Sequence, residues 1–201
     1  MLRIPKSFVS MIMTALLLAS LTAIASAEDE QYVEKTFTYT CTVKVLGINL
    51  NFPLPLTVKG YGPISVEPSD QITLTNASAT AAVPSNIVSI LDGLLSWDYT
   101  EGTVTKFVIE SENLDDTIDV AELAIPNTKV PKDGSDLIFT VPEVGGISVG
   151  PFTAGTSGVV TLSAGELSAE FEKGSDKGLD VKLTADCEPP EDNTIVEITI
   201  N

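Results

Sequence analysis

The chain has 201 residues, 28 of them acidic and 11 basic, for a net charge of −17 with no histidine. A surface this acidic repels nucleic acid and anionic lipid headgroups. The missing histidine removes Ser-His-Asp and Cys-His catalysis and every His-based metal site.

Residues 1–27 carry the three parts of an export signal. Arg3 and Lys6 supply a positive start, Phe8 to Ile24 an apolar run, and Ala25-Ser26-Ala27 a small-x-small cleavage site. An uncleaved anchor is the alternative, since the run is near the lower length limit for a spanning helix. No Cys follows the site, so lipoprotein acylation is not indicated. Residues 28–201 are then expected to be one secreted domain with no stable membrane insertion, long enough for a real core.

Within that domain, strict alternation of apolar and polar residues predicts half-buried strands. In Lys35–Val45 the apolar parity is Phe37, Tyr39, Cys41, Val43 and Val45. Leu50–Lys59 follows, with Pro53 and Pro55 marking an edge or an irregularity. A turn is expected at Lys59-Gly60-Tyr61-Gly62-Pro63, then a strand over Gln71–Val83. Pro84 and a capping Ser85 open a helix that closes at Gly93, with Ile87, Ile90 and Leu91 on one face. Strands are predicted at Thr103–Ser111, Ile118–Ala124 and Asp136–Val141, and a glycine-rich turn and strand over Gly145–Gly150. Gly158–Ala164 and Glu166–Glu172 are read as separate strands divided at Ala164-Gly165. Leu179–Cys187 and Asn193–Ile200 complete the set. The expected fold is all-β: an antiparallel β-sandwich of immunoglobulin-like architecture with one short helix. A barrel is the alternative.

The two cysteines, Cys41 and Cys187, both fall on the apolar parity of their strands. In an exported chain this predicts a buried disulfide, with free buried thiols as the alternative.

Chemistry-bearing motifs are few. Gly146-Ile147-Ser148-Val149-Gly150 matches the Gly-x-Ser-x-Gly nucleophile elbow, but the elbow needs a strand-to-helix turn and a His base. Acids are too many to single out a glycosidase pair. The residues therefore predict a non-enzymatic protein without catalytic or cofactor-binding residues. Asp115, Asp116 and Asp119 are hard oxygen donors at close spacing and a candidate Ca²⁺ site, although a solvated acidic loop gives the same pattern. Trp97 and Tyr99 are a candidate stacking platform, against the alternative that a lone Trp belongs to the core.

Several blocks carry a family resemblance. They are Tyr39-Thr40-Cys41-Thr42-Val43, Ile72 to Thr80 followed by Pro84, and Gly102-Thr103-Val104 running toward Asn113. Val141-Pro142, Gly150 to Gly158 and the late Cys187 complete them. On these the chain resembles an uncharacterised family of secreted proteins of Gram-positive bacteria, notably actinobacteria, a domain of unknown function. The resemblance implies secretion, an all-β fold and a paired-cysteine framework, and supplies no catalytic residues.

The functional expectation is an extracellular β-sandwich that interacts with a cell surface, a matrix or an unidentified protein partner, and not with nucleic acid. The alternatives are a secreted carrier for a small apolar ligand and a calcium-stabilised module.

Overall fold

A computed structural model describes residues 30–114, 118–120, 122–175 and 177–201. The segment read as an export signal lies outside them. The described residues form twelve strands and one helix. In chain order these are β1 (Glu30–Val45), β2 (Ile48–Pro63), β3 (Ser65–Val66), β4 (Gln71–Val83), α1 (Ser85–Gly93) and β5 (Tyr99–Glu112). They continue with β6 (Ile118–Asp119), β7 (Leu123–Lys129), β8 (Leu137–Val141), β9 (Ile147–Thr153), β10 (Gly158–Lys173), β11 (Leu183–Glu188) and β12 (Thr194–Ile200). The fold is all-β and sandwich-like, as the alternation predicts.

One hydrogen-bonded path runs β3-β12-β10-β11-β1-β2-β4-β8. β5 lies along the other edge of β10 and carries β6 and β7, and β9 extends β4. The pairing is antiparallel throughout except for the short β3–β12 contact. The sheet folds over on itself, so that Val43, Leu54 and Ala81 from β1, β2 and β4 share one interior with Val104, Ile125 and Ala169 from β5, β7 and β10. The predicted parity of β1 holds residue by residue: Phe37, Tyr39, Cys41, Val43 and Val45 are all buried.

Cys41 faces Cys187 across β1 and β11, and the two form a disulfide with both residues buried. It joins residues 146 positions apart.

Five local expectations are corrected, each for a tertiary reason. First, Lys59 to Pro63 is not a turn; β2 continues through it, facing Glu34 to Glu30 of β1. The glycines serve close approach: a Cβ at Gly62 would lie 2.8 Å from Leu74 Cδ2. Second, Ala164-Gly165 does not end a strand. β10 runs unbroken over 16 residues with a register shift against β5 at that point, and the buried Tyr39 hydroxyl donates to the Gly165 carbonyl at 3.0 Å. Third, β11 begins at Leu183; Leu179 is held instead by the loop after α1, its N–H donating to Leu95 O at 2.8 Å and its carbonyl accepting from the Trp97 indole. Fourth, Ile118–Ala124 divides into β6 and β7, which pair with different stretches of β5.

Fifth, α1 spans the predicted residues but is capped differently. Its N-cap is Pro84 with no side-chain cap bond, and Asp136 Oδ1 accepts from Ser85 N–H at 2.8 Å, an acceptor delivered from 51 residues away. Its buried residues are Ile87, Val88 and Leu91, with Ile90 only half-buried.

The prolines of β2 find a consistent explanation. β4 covers β2 only from Leu56 to Tyr61, so Pro53 and Pro55 lie where that side of β2 is unpaired and a missing N–H costs no ladder bond.

Candidate functional site: an apolar interior and an open cleft

The strands do not fill the space they enclose. A cavity of about 90 Å³ lies between the two halves of the sheet, with Ile87 and Leu91 of α1 on its wall. Phe52, Phe107, Phe139 and Phe171 line it, and its other walls are aliphatic apart from Cys187. A second lobe of about 60 Å³ lies between Leu74, Ile109, Val149 and Ile195. Ala79, Phe107, Leu123 and Val141 belong to both walls, so the lobes are separated by few side chains, of which Phe107 is the largest. A void without polar partners does not hold ordered water; it stays empty or takes an apolar guest.

The other concave feature is polar. A cleft of about 380 Å³ opens between Gln31–Lys35 of β1 and Thr194–Glu197 of β12. It exists because β11 covers β1 only at Thr40–Val43, while β12 pairs with β10 instead. Gln31 bridges one end, its side-chain amide donating to Glu197 O at 3.5 Å and Pro63 O at 3.4 Å. Tyr32 on the rim is more than half exposed and packs against Tyr61 with ring centroids 5.4 Å apart. The Tyr32 hydroxyl donates to Glu34, which also pairs with Lys59 at 3.2 Å. These two partners hold the Glu34 carboxyl below its usual range, the tyrosine bond contributing most.

The residues singled out in the sequence are not brought together. Trp97 is fully buried, and its indole N–H donates to Leu179 O at 2.9 Å. Gly178 lies so close over the ring that a Cβ there would stand 2.6 Å from Trp97 Cδ1. Trp97 therefore presents no face to solvent, and Tyr99 is exposed without it, so the stacking platform is overturned. The reason is packing: a large ring gains most by complete burial once its one polar atom has a partner.

Asp115 and Asp116 lie outside the described residues. Asp119 Oδ1 accepts from Phe107 N–H at 3.3 Å. Among the described residues no cluster of three or more His, Cys, Asp or Glu is placed to hold a metal ion. Ser148 lies within β9, paired against β4, and not on a strand-to-helix turn. Among the described residues no helix is long and apolar enough to cross a membrane.

The surroundings of Tyr39 and Asp98 shift their pKa values. Burial, and then the Glu110 charge, push the Tyr39 hydroxyl far up, so it remains a neutral donor. Asp98 is held down by Lys132, at 2.7 Å, and Lys177, at 3.2 Å.

A family of unknown function, DUF6801, matches residues 38–196. The chain belongs to this family. The matched span runs from the buried face of β1 through the disulfide to β12, and so takes in the walls of the interior cavity. No curated protein matches the chain, and no solved structure matches it.

Sequence reasoning did not find the cavity or the cleft. The cavity had no signal, because alternation shows which residues face inward and not how well they fill the interior. The cleft had one in the prolines of β2, which fix the side of β1 whose N–H groups turn away from β2.

Proposed function

We propose that this chain is a non-enzymatic protein secreted by a Gram-positive bacterium, and that it carries a small apolar molecule inside its sandwich. The observation that carries this reading is the pair of apolar lobes, separated chiefly by Phe107. Ligand sites are mostly apolar, and so is this interior. The larger lobe alone is below the roughly 150 Å³ of an engineered cavity that takes benzene. A rotation of Phe107 that joins the lobes would admit a ring or a short hydrocarbon chain. Selection would rest on size and apolarity, since the larger lobe offers almost no polar surface. The export-signal features and the buried disulfide support an oxidising extracytoplasmic location.

The test is native mass spectrometry of freshly secreted protein, followed by thermal unfolding with a series of apolar probes from benzene to decane. A co-purifying adduct or a raised midpoint is expected. A ligand that binds only the folded state at a hundred times its Kd stabilises by about 2.7 kcal/mol. A bare mass together with unshifted midpoints across the series would sink the carrier.

A second reading, a cell-surface or matrix interaction module, is supported by the open cleft beside β1. Co-sedimentation of the mature protein with cells or wall fragments tests it, and failure to co-sediment removes it.

A further inference from the structure

Among the described residues, no strand is paired to the outer edge of β1 over about half its length. Pro63, Pro55 and Pro53 of β2 face Glu30, Thr38 and Thr40 of β1. Facing pairs in an antiparallel ladder alternate between those that exchange hydrogen bonds and those that do not. Proline has no N–H to give, so these three are non-bonded pairs. The β1–β2 register is unbroken, so every even-numbered residue of β1 turns its N–H and C=O away from β2. At Thr40 and Thr42 those groups meet Glu188 and Asp186 of β11. At Tyr32, Glu34, Thr36 and Thr38 no strand of the described residues is paired on that side, and at Tyr32 and Glu34 it opens into the cleft.

The far wall of the cleft is also strand. β12 pairs with β10 on one side and with β3 only at Thr199 and Ile200 on the other. The cleft thus lies between two stretches of main chain, with the Gln31 bridge to Glu197 O closing one end. Its floor includes Val33, Ile195 and Val196, which also line the smaller apolar lobe. Its surroundings are acidic: the chain carries a net charge of −17, Glu197 lines the cleft, and Glu30 precedes Gln31 at the start of β1. Lys35 is the cation among the residues that line it, and Lys59 is already paired with Glu34.

We infer that this cleft binds an extended peptide that adds a strand to the edge of β1, with apolar side chains turned to Val33 and Ile195 and basic side chains turned out. An unpaired edge is a template for such addition: main-chain bonds supply affinity, and alternate side chains supply selectivity. Two residues per pleat repeat match an apolar–basic alternation to the floor and the acidic rim. The Gln31 side chain bridging to Glu197 O must swing aside on entry. This site is independent of whatever occupies the larger lobe.

The test uses the intact mature protein and a capped (Lys-Val)₃ peptide, read by amide hydrogen exchange and by anisotropy of a labelled copy. In the free protein, the amides of Tyr32, Glu34, Thr36 and Thr38 should exchange much faster than those of Phe37 and Tyr39, which bond to β2. Saturating peptide should slow the four at least tenfold. N-methylation of alternate peptide residues on one edge should abolish the slowing, a control that leaves the protein unaltered. The (Glu-Val)₃ counterpart should bind at least tenfold more weakly at low salt. Thr36→Pro removes one edge donor and leaves the main-chain β2 ladder; since it also loses the Thr36 Oγ1–Thr57 Oγ1 bond, it is compared with Thr36→Val, which loses only that bond, and should bind more weakly than Thr36→Val at a similar unfolding midpoint. The inference is overturned if the four amides are already as protected as their neighbours. It is overturned equally if the peptide does not slow them, if the N-methylated peptide slows them as well, or if a neutral oligosaccharide protects them and the peptide does not.

Discussion

Replacing Ala81 by Leu puts three more carbons into the larger cavity. Ala81 lies on β4, facing Leu56 and Phe139, and its methyl group is on the cavity wall. In well-packed cores such an insertion costs about 1–3 kcal/mol through strained rotamers. Here the space exists. Empty volume costs about 24 cal/mol per Å³, so a void of about 90 Å³ is associated with about 2 kcal/mol. Ala81→Leu should therefore leave stability unchanged or raise it by up to about 2 kcal/mol. Ala169→Leu reaches the same void from β10 in the opposite wall and should behave alike. The double variant is the sharper measurement. One void can be filled once, so the two gains should fall short of additivity by about 1 kcal/mol or more, as expected for residues that share a cavity. Urea denaturation at a common temperature measures all four species, and apolar-probe binding should disappear with either single change. If both single variants are destabilised by more than about 1 kcal/mol, the interior is filled and the carrier reading loses its foundation. Strict additivity would mean that the two alanines do not face the same space.

The disulfide gives a second prediction. Closing a loop of about 147 residues stabilises by roughly 5 kcal/mol in the chain-entropy model, so the Cys41→Ala, Cys187→Ala double variant should lose several kcal/mol in urea, and a loss below about 1 kcal/mol would contradict the clasp. Trp97 is the chain's one tryptophan, so its emission should be that of an apolar site, poorly quenched by acrylamide and indifferent to added sugars; Trp97→Phe should cost about 1–3 kcal/mol through the lost indole hydrogen bond and the space left by the smaller ring, since the Leu179 carbonyl keeps the Val181 N–H. Asp98 has a folded pKa below its usual 3.8, set by Lys132 and Lys177. The stability it contributes is present above the unfolded value and is lost as pH falls through the folded value. The gap in unfolding midpoint between the parent and Asp98→Asn should hold at neutral pH and close in acid; a gap that widened in acid would refute the assignment.

Much of the strand content was legible because alternation is a local property. Phe37 to Val45, Gln71 to Val83 and Asp136 to Val141 each read correctly, since the side a residue takes on a strand depends only on its own position in the run. The α1 boundaries were legible from Pro84 and Gly93, but the cap was not: Asp136 comes from another part of the chain. Gly60, Gly62 and Gly165 misled for one reason. Glycine marks both turns and close approaches, and only the neighbouring strand distinguishes them. Trp97 was ambiguous from sequence because the same ring serves a surface platform or a core. The loop that brings Leu179 O to its indole N–H decided the matter.

By itself, the sequence determined an all-β, acidic, histidine-free chain with two inward-facing cysteines. These follow from composition and from a two-residue period. The tertiary structure alone decided which strands are neighbours. That choice set Cys41 opposite Cys187, left a void between walls that each read as ordinary core, and left half of one β1 edge without a partner strand among the described residues. Pairing is non-local, so a pattern within one strand cannot state what lies beside it or how much space remains between.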